Sequence, residues 1–452
     1  MDKNITDMPS FFTHQLEGQT FYRPLSRETY NLIMYKLFGL NPIPFHIANL
    51  LLILVNLRLL FLFVKSLNSN SVVAYFTSIV YLLSSVHSIE LYYLASVQTL
   101  LAATFTLLSL LFYVKFLREK TLNYYLTSIL FFLIALFCHE SAIILVGLIF
   151  LTNFVIQSNT LKEKILSIIP FTIFAILYFV SIWDMSSLPK QQVYQPVFQL
   201  KSILNTFSWY VLWSFGLPEM LVDFVRPKFV LKEEFIIWYS YYAKIVFPLL
   251  LFVISLLFMM IWSLKKIIFT GNFLIFFITS FLISISPFIL FPQHKFIYYL
   301  SLPIIWFSST LGLILAVSWM VGNFYRALTV SILLSFLIIS YQTITLNSKT
   351  HWAAKRAKAA ESLVKQLKLD YPSVPKGSIF YITDDPNYPD IAREWGTSSK
   401  QAFYILSGSD ALQLLYKDPS IKVYYQAVEK PPENLDLNNM ALMISLTARF
   451  PY

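Results

Sequence analysis

Three short clusters place ionisable side chains where chemistry could be done. His87-Ser88-Ile89-Glu90, His139-Glu140 and His294-Lys295 each stand at the end of an apolar run. Titratable groups beside lipid are costly, so they tend to mark a site or a pathway. His294-Lys295 leads into Phe296-Ile297-Tyr298-Tyr299 and Pro303, which sets a cation and two phenols at the mouth of a span and would suit the phosphate of a lipid carrier. Each cluster also has a plainer reading. Glu90 could be a solvated loop carboxylate, His139-Glu140 a buried hydrogen-bonded pair, and His294-Lys295 an aromatic belt with a snorkelling lysine. Arg58 lies inside the first apolar run, where pairing or snorkelling toward the bundle interior is expected.

The elements that must position these residues are membrane helices. Of 452 residues 57% are hydrophobic and 13% charged, against about a quarter charged in an ordinary globular domain. Apolar runs of about 18 to 22 residues recur, each long enough to cross a hydrocarbon layer. We read about ten spans, near 45–66, 71–88, 95–114, 123–138, 141–157, 165–183, 242–263, 272–291, 297–319 and 325–346. The formal charge of +10 does not point to nucleic acid, because the basic residues gather in alternate loops: Lys65, then Lys115, Arg118 and Lys120, then Lys162 and Lys164, then Lys265 and Lys266, then Arg326. By the positive-inside rule those loops are cytoplasmic, which puts the loops of Glu90, His139-Glu140 and His294-Lys295 outside with both termini. The lone Cys138 excludes an internal disulfide and a cysteine-based metal cluster.

Three regions follow. Residues 1–44 read as an outer loop, 45–346 as a transmembrane bundle with a long outer loop at 184–241, and 347–452 as a small soluble α/β domain on the extracytoplasmic side. Within the long loop, 203–217 is apolar but short and interrupted, so it reads as interfacial. In the last region a helical pattern over 349–369 ends at Pro372, Pro375 and Gly377, and β-prone runs follow at 378–382 and 421–425. Asp384-Asp385 there reads as a solvated turn rather than a metal site.

Several segments together resemble a family. Phe21-Tyr22-Arg23-Pro24-Leu25, Leu37-Phe38-Gly39-Leu40-Asn41-Pro42 and Phe45-His46-Ile47-Ala48-Asn49-Leu50-Leu51 are similar to a run found in GT-C membrane glycosyltransferases, above all bacterial relatives of the dolichyl-phosphate-mannose protein mannosyltransferases and of the tetratricopeptide-bearing O-mannosyltransferases. His87-Ser88-Ile89-Glu90, Cys138-His139-Glu140-Ser141-Ala142 and Lys295-Phe296-Ile297-Tyr298-Tyr299-Leu300 resemble later elements of that family in the same order. The resemblance implies a mainly α, GT-C-like bundle and an inverting enzyme. It would move a hexosyl or pentosyl group from a polyprenyl-phosphate donor to a protein, lipid or glycan acceptor, with membrane lipid as a further partner and no nucleic acid.

Roles follow from the resemblance in the same way. A carboxylate would act as base on the acceptor hydroxyl, with Asp2 and Glu90 as the catalytic candidates. Arg23, His87, His139, Glu140, His294, Lys295 and Tyr298 would bind substrate, the cations steadying the departing phosphate. No metal-ligand set is read from the sequence, although a divalent metal is compatible with the family. The family carries a span and an acidic pair ahead of the first loop, so a complete relative is expected to have one more helix before Met1. A flippase for lipid-linked sugars and an inactive truncated relative are the alternatives. A flippase calls for related halves or broken helices near the midplane, and no internal repeat is visible.

Overall fold

The computed structural model describes residues 4–13, 21–67, 70–156, 160–185, 195–226, 230–268, 272–388, 396–429, 431 and 443–448. The chain divides into two compact units, Asn4–Asn347 and one built from Ser348–Tyr452.

Helices α1 (Tyr30–Phe38) to α14 (Asn323–Thr350) build the first unit. Between them come α2 (Ile43–Leu67), α3 (Ser71–Leu82), α4 (Val86–Tyr92), α5 (Val97–Glu119), α6 (Leu122–Cys138), α7 (Leu145–Ile156) and α8 (Leu161–Met185). Next are α9 (Leu200–Ser214), the small antiparallel pair β1 (Val225–Arg226) and β2 (Val230–Leu231), α10 (Glu233–Trp238), α11 (Ser240–Ile268), α12 (Phe273–Ile285) and α13 (Pro303–Val321). Polar breakers set the boundaries. Asn70 caps α3 by accepting from the Val72 N–H at 2.9 Å, and Lys120 closes α5 in the left-handed conformation.

Six of the described helical segments are long and apolar enough to cross a membrane: Ile43–Leu67, Leu94–Glu119, Leu161–Ser181, Ser240–Ile268, Pro303–Val321 and Asn323–Thr350. The run read as one span at 71–88 is broken, since α3 and α4 meet at 52° and count as a seventh crossing only if joined. Three further apolar helices, Leu122–Cys138, Glu140–Ile156 and Phe273–Ile285, are shorter. The outward faces are apolar. On α11, Leu251, Phe258 and Trp262 are each about two thirds exposed, and α8 presents Ile176, Leu177 and Val180. Contiguous surfaces of this kind are stable against lipid and not against water. The first unit is a helical membrane bundle.

Inside it, small residues let helices approach closely. Ser308, Gly312 and Ala316 repeat every four residues on α13, which lies against α3. A Cβ built on Gly312 would stand 2.5 Å from the backbone of Thr77. In the segment read as interfacial, 203–217, α9 buries Trp209, Tyr210 and Trp213 against the bundle and leaves Leu204 exposed. An aromatic-rich amphipathic helix has the same pattern whether its apolar face meets lipid or protein. Along α5 the two ends differ: Gln98 is in the first turn and Arg118 in the last, about 30 Å apart at 1.5 Å per residue. Arg118 donates to the carbonyl of Ser66, which brings the two most N-terminal basic loops together at that end.

The second unit holds α15 (Trp352–Asp370), β3 (Ile379–Thr383), α16 (Ser398–Leu406), α17 (Asp410–Tyr416), β4 (Lys422–Tyr425) and β5 (Met443–Thr447). The three strands form a parallel sheet in the order β4-β3-β5, with Ile379 opposite both Lys422 and Met443. Its core joins Leu363 and Leu367 of α15 to Phe380, Ile382, Ala402, Leu406 and Leu412. Asp384 and Asp385 serve the backbone here: the first accepts from the Ser399 N–H at 2.8 Å, the second from the Asn387 N–H at 2.9 Å.

Candidate functional site

Arg23 stands at the start of a turn of π-helix, Pro24–Thr29, and is held there from three sides. Ser26 Oγ donates to the Cys138 carbonyl at 2.5 Å, Tyr178 Oη donates to the Tyr22 carbonyl at 3.1 Å, and Tyr22 Oη donates to the Phe12 carbonyl at 2.7 Å. So fixed, the guanidinium meets Glu140 in the fork geometry that suits a carboxylate: Nε to Oε2 at 2.8 Å and Nη2 to Oε1 at 2.5 Å. Its Nη1 donates to Gln98 Oε1, and its face lies 4.7 Å over the ring of Phe21. Glu140 keeps a third of its side chain exposed, while Arg23 is largely covered.

Chain folding gives this cluster its parts. α6 ends at Cys138, the extended backbone of His139 turns the chain, and a short 3-10 turn (Glu140–Ile144) starts the return into α7. His139 is buried, its Nδ1 accepts from the Ser141 N–H at 3.2 Å, and its Nε2 is 3.8 Å from Glu140 Oε1. Burial and the neighbouring Arg23 cation push its imidazole down to about 3, against the pull of Glu140. Burial pushes the Glu140 carboxyl up, but Arg23, His139 and the hydrogen bonds outweigh it and hold the group well below the usual carboxylate range.

The aromatic mouth joins from another quarter of the sequence. Tyr299 acts electrostatically on Arg23, and the His294 ring lies 5.9 Å from the Tyr299 ring. Burial, then Arg23, lowers His294 to about 4, which favours the neutral imidazole. Lys295 donates from Nζ to the Pro292 carbonyl at 2.9 Å. Burial lowers its affinity for the proton and Asp223 supports it. Tyr298 stacks on Phe296 at 5.3 Å and leans on Tyr93 at 5.2 Å. Glu219 docks the segment by accepting from the Ile297 N–H at 2.6 Å.

His87 and Glu90 lie elsewhere in the packing. Glu90 sits on α4 and is fully buried, which rules out the open loop carboxylate. Its Oε2 is 2.7 Å from His87 Nδ1, and His87 Nε2 is 2.8 Å from the Tyr81 carbonyl. A carbonyl only accepts, so His87 Nε2 is the donor to Tyr81, and the ring bridges that carbonyl and the Glu90 carboxyl. Glu90 Oε1 and Tyr81 Oη are buried without a hydrogen-bond partner. The backbone carbonyl of Glu90 accepts from Asn49 Nδ2 and Ser96 Oγ, both at 2.8 Å, and Leu91 O meets His46 Nδ1 at 2.7 Å. These contacts lock the corner from which α5 and Gln98 start.

The structure thus brings Arg23, His139, Glu140 and His294 into one cluster, joins Tyr298 to it through Tyr299, holds the adjacent Lys295 on the Pro292 carbonyl, and leaves His87 and Glu90 as a separate buried pair. Asp2 lies outside the described residues. Arg58 is exposed on α2, its guanidinium 5.6 Å over Phe61, so it faces outward rather than into the bundle. Gln98, Tyr178, Glu219 and Asp223 were not read as site residues. Of these Gln98 carried a signal, as an amide inside an apolar run. Among the described residues no group of three His, Cys, Asp or Glu side chains could hold a metal ion. The chain matches no family model, no curated protein and no solved structure.

Proposed function

We propose that this chain is an inverting membrane glycosyltransferase of the GT-C kind, moving a sugar from a polyprenyl-phosphate donor to a protein, lipid or glycan acceptor at the outer face. In this reading the three shorter apolar helices and the bent pair also cross, giving about ten spans. The termini and the Ser348–Tyr452 unit lie outside. One observation carries the proposal: the arginine fork that Arg23 makes with Glu140 and Gln98 meets the phenols of Tyr178 and Tyr299, from distant stretches of chain, at the end of the bundle opposite the Arg118 loop, and Lys295 belongs to the same short segment as Tyr299.

The chemistry needs little more than that. The acceptor oxygen forms its bond to the anomeric carbon as its proton passes to a carboxylate, and the bond from that carbon to the phosphate oxygen breaks with its electron pair. Lys295 and Arg23 neutralise the departing lipid phosphate, and neutral His294 can hydrogen-bond it or the sugar. Tyr298 and its neighbours line the lipid path. Asp2 keeps the proton-accepting role that the resemblance gives it. Glu90, buried against His87, acts as a positioning residue in our reading.

The test is transfer by the reconstituted protein with polyprenyl-phosphate sugars. Lys295→Ala is expected to lower turnover at least about a hundredfold with normal yield, the loss typical when a group stabilising transition-state charge is removed. Unchanged turnover in that variant would overturn the assignment. Translocation of the lipid-linked sugar without a new glycosidic bond would favour the flippase.

A further inference from the structure

The Arg23 guanidinium has the fork geometry that suits a phosphate, and Glu140 already fills it. Glu140 presents two oxygens to it in the plane of the guanidinium, at 2.8 Å from Nε and 2.5 Å from Nη2. A phosphate offers the same pair of oxygens to the same edge. Gln98 takes a third N–H on the other side, so a ligand reaching this edge meets Glu140 first. The two partners are unequally held. Arg23 is anchored by its turn and by Ser26, Tyr22 and Tyr178, and its side chain is 14% exposed; that of Glu140 is 34% exposed.

We infer that Glu140 is a built-in occupant of the phosphate site, which the donor must displace from Arg23, and that this exchange selects donors carrying a phosphate. The inference rests on the glycosyltransferase reading and adds a specificity-determining residue to it. Only a ligand that returns both hydrogen bonds and the negative charge can replace Glu140 without leaving the buried guanidinium unpaired. A neutral glycolipid returns neither. Once displaced, the carboxylate has a neighbour in His139, whose Nε2 is 3.8 Å away. The groups facing the pair are Arg23, His139, Gln98, Tyr178, Tyr299 and His294.

The experiment measures binding of undecaprenyl phosphate and of undecaprenol to the full-length protein in detergent, for wild type, Glu140→Gln and Glu140→Asp. Glu140→Gln is expected to bind the phosphate at least about tenfold more tightly, the worth of one charge-assisted hydrogen-bond contact in competition, and the alcohol no better than wild type. Glu140→Asp keeps the charge but shortens the reach, and is expected to fall between the two. It guards against loss of the fold in Glu140→Gln, which an unfolding curve reports. Wild type that binds the phosphate while neither variant binds it more tightly overturns the exchange and leaves the transferase reading standing. Failure of all three proteins to bind the phosphate overturns the transferase reading itself.

Discussion

His139 and His294 hold their imidazoles at about 3 and about 4, below the ordinary value of 6.5. The unfolded chain takes up protons that the folded chain refuses, so this share of stability is complete above pH 6.5 and is lost as pH falls through the interval toward those values. The unfolding midpoint in detergent should therefore drop between pH 7 and pH 5, and His139→Gln should flatten the slope. Glu140 adds a loss of the same sign only below the ordinary carboxylate value, outside that window. A midpoint that does not move would contradict the neutral, buried imidazole. Glu90 gives a second case. Glu90→Ala takes away the partner of the buried His87 Nδ1 and leaves only the Tyr81 carbonyl on Nε2, a loss of about 1 to 3 kcal/mol. Loss of folded protein, rather than of turnover alone, is the expected result. The sequence flags both residues for the same reason, a titratable group at the end of an apolar run. It carries no sign that Glu90 turns inward, because α4 shares one hydropathy pattern with an outer loop edge. Nor can a linear pattern pair Arg23 with Glu140.

At the level of the elements, the long helices were legible because lipid demands uninterrupted apolar runs, and α2, α11 and α14 each cover the run read for them. The break between α3 and α4 was not. Its residues Leu83-Ser84-Ser85 contain neither proline nor glycine, and the bend is held by contacts from His46 and Asn49 on another helix. The close seam of α13 on α3 makes a sharper demand. Gly312→Ala puts a methyl group 2.5 Å from the Thr77 backbone, and trimming the Thr77 side chain cannot relieve it. The helices must part, with an expected loss of about 1 to 3 kcal/mol. Gly322→Ala, with open space around its Cβ position, should leave the unfolding midpoint nearly unchanged. β5 went unread although Pro431-Pro432 and Asn438-Asn439 ahead of it are turn signals, because its run of five residues is short.

For the molecule as a whole, the proposed orientation is open to a direct check. Cys138 is fully buried, so the native chain gives little background with a membrane-impermeant thiol reagent. Leu40→Cys, just ahead of α2, and Lys120→Cys, at the far end of α5, are both exposed positions. In sealed cells the first is expected to label from outside and the second only after the membrane is opened. Labelling of both from one side would refute the alternation of loops.

The fork between Arg23 and Glu140 also has a bearing on time. The two residues are 117 positions apart, and the turn that carries the earlier one also waits for the Cys138 carbonyl and for Tyr178. At roughly 5 to 20 residues per second, about 6 to 23 s of synthesis separate them. Through that interval α2 to α5 can insert and pack while Arg23 waits for the turn after α6. The fork closes only once Glu140 has been made and the mouth only once the 294–299 segment follows, so a ribosome stalled before residue 140 would present its first helices with the arginine still unmatched.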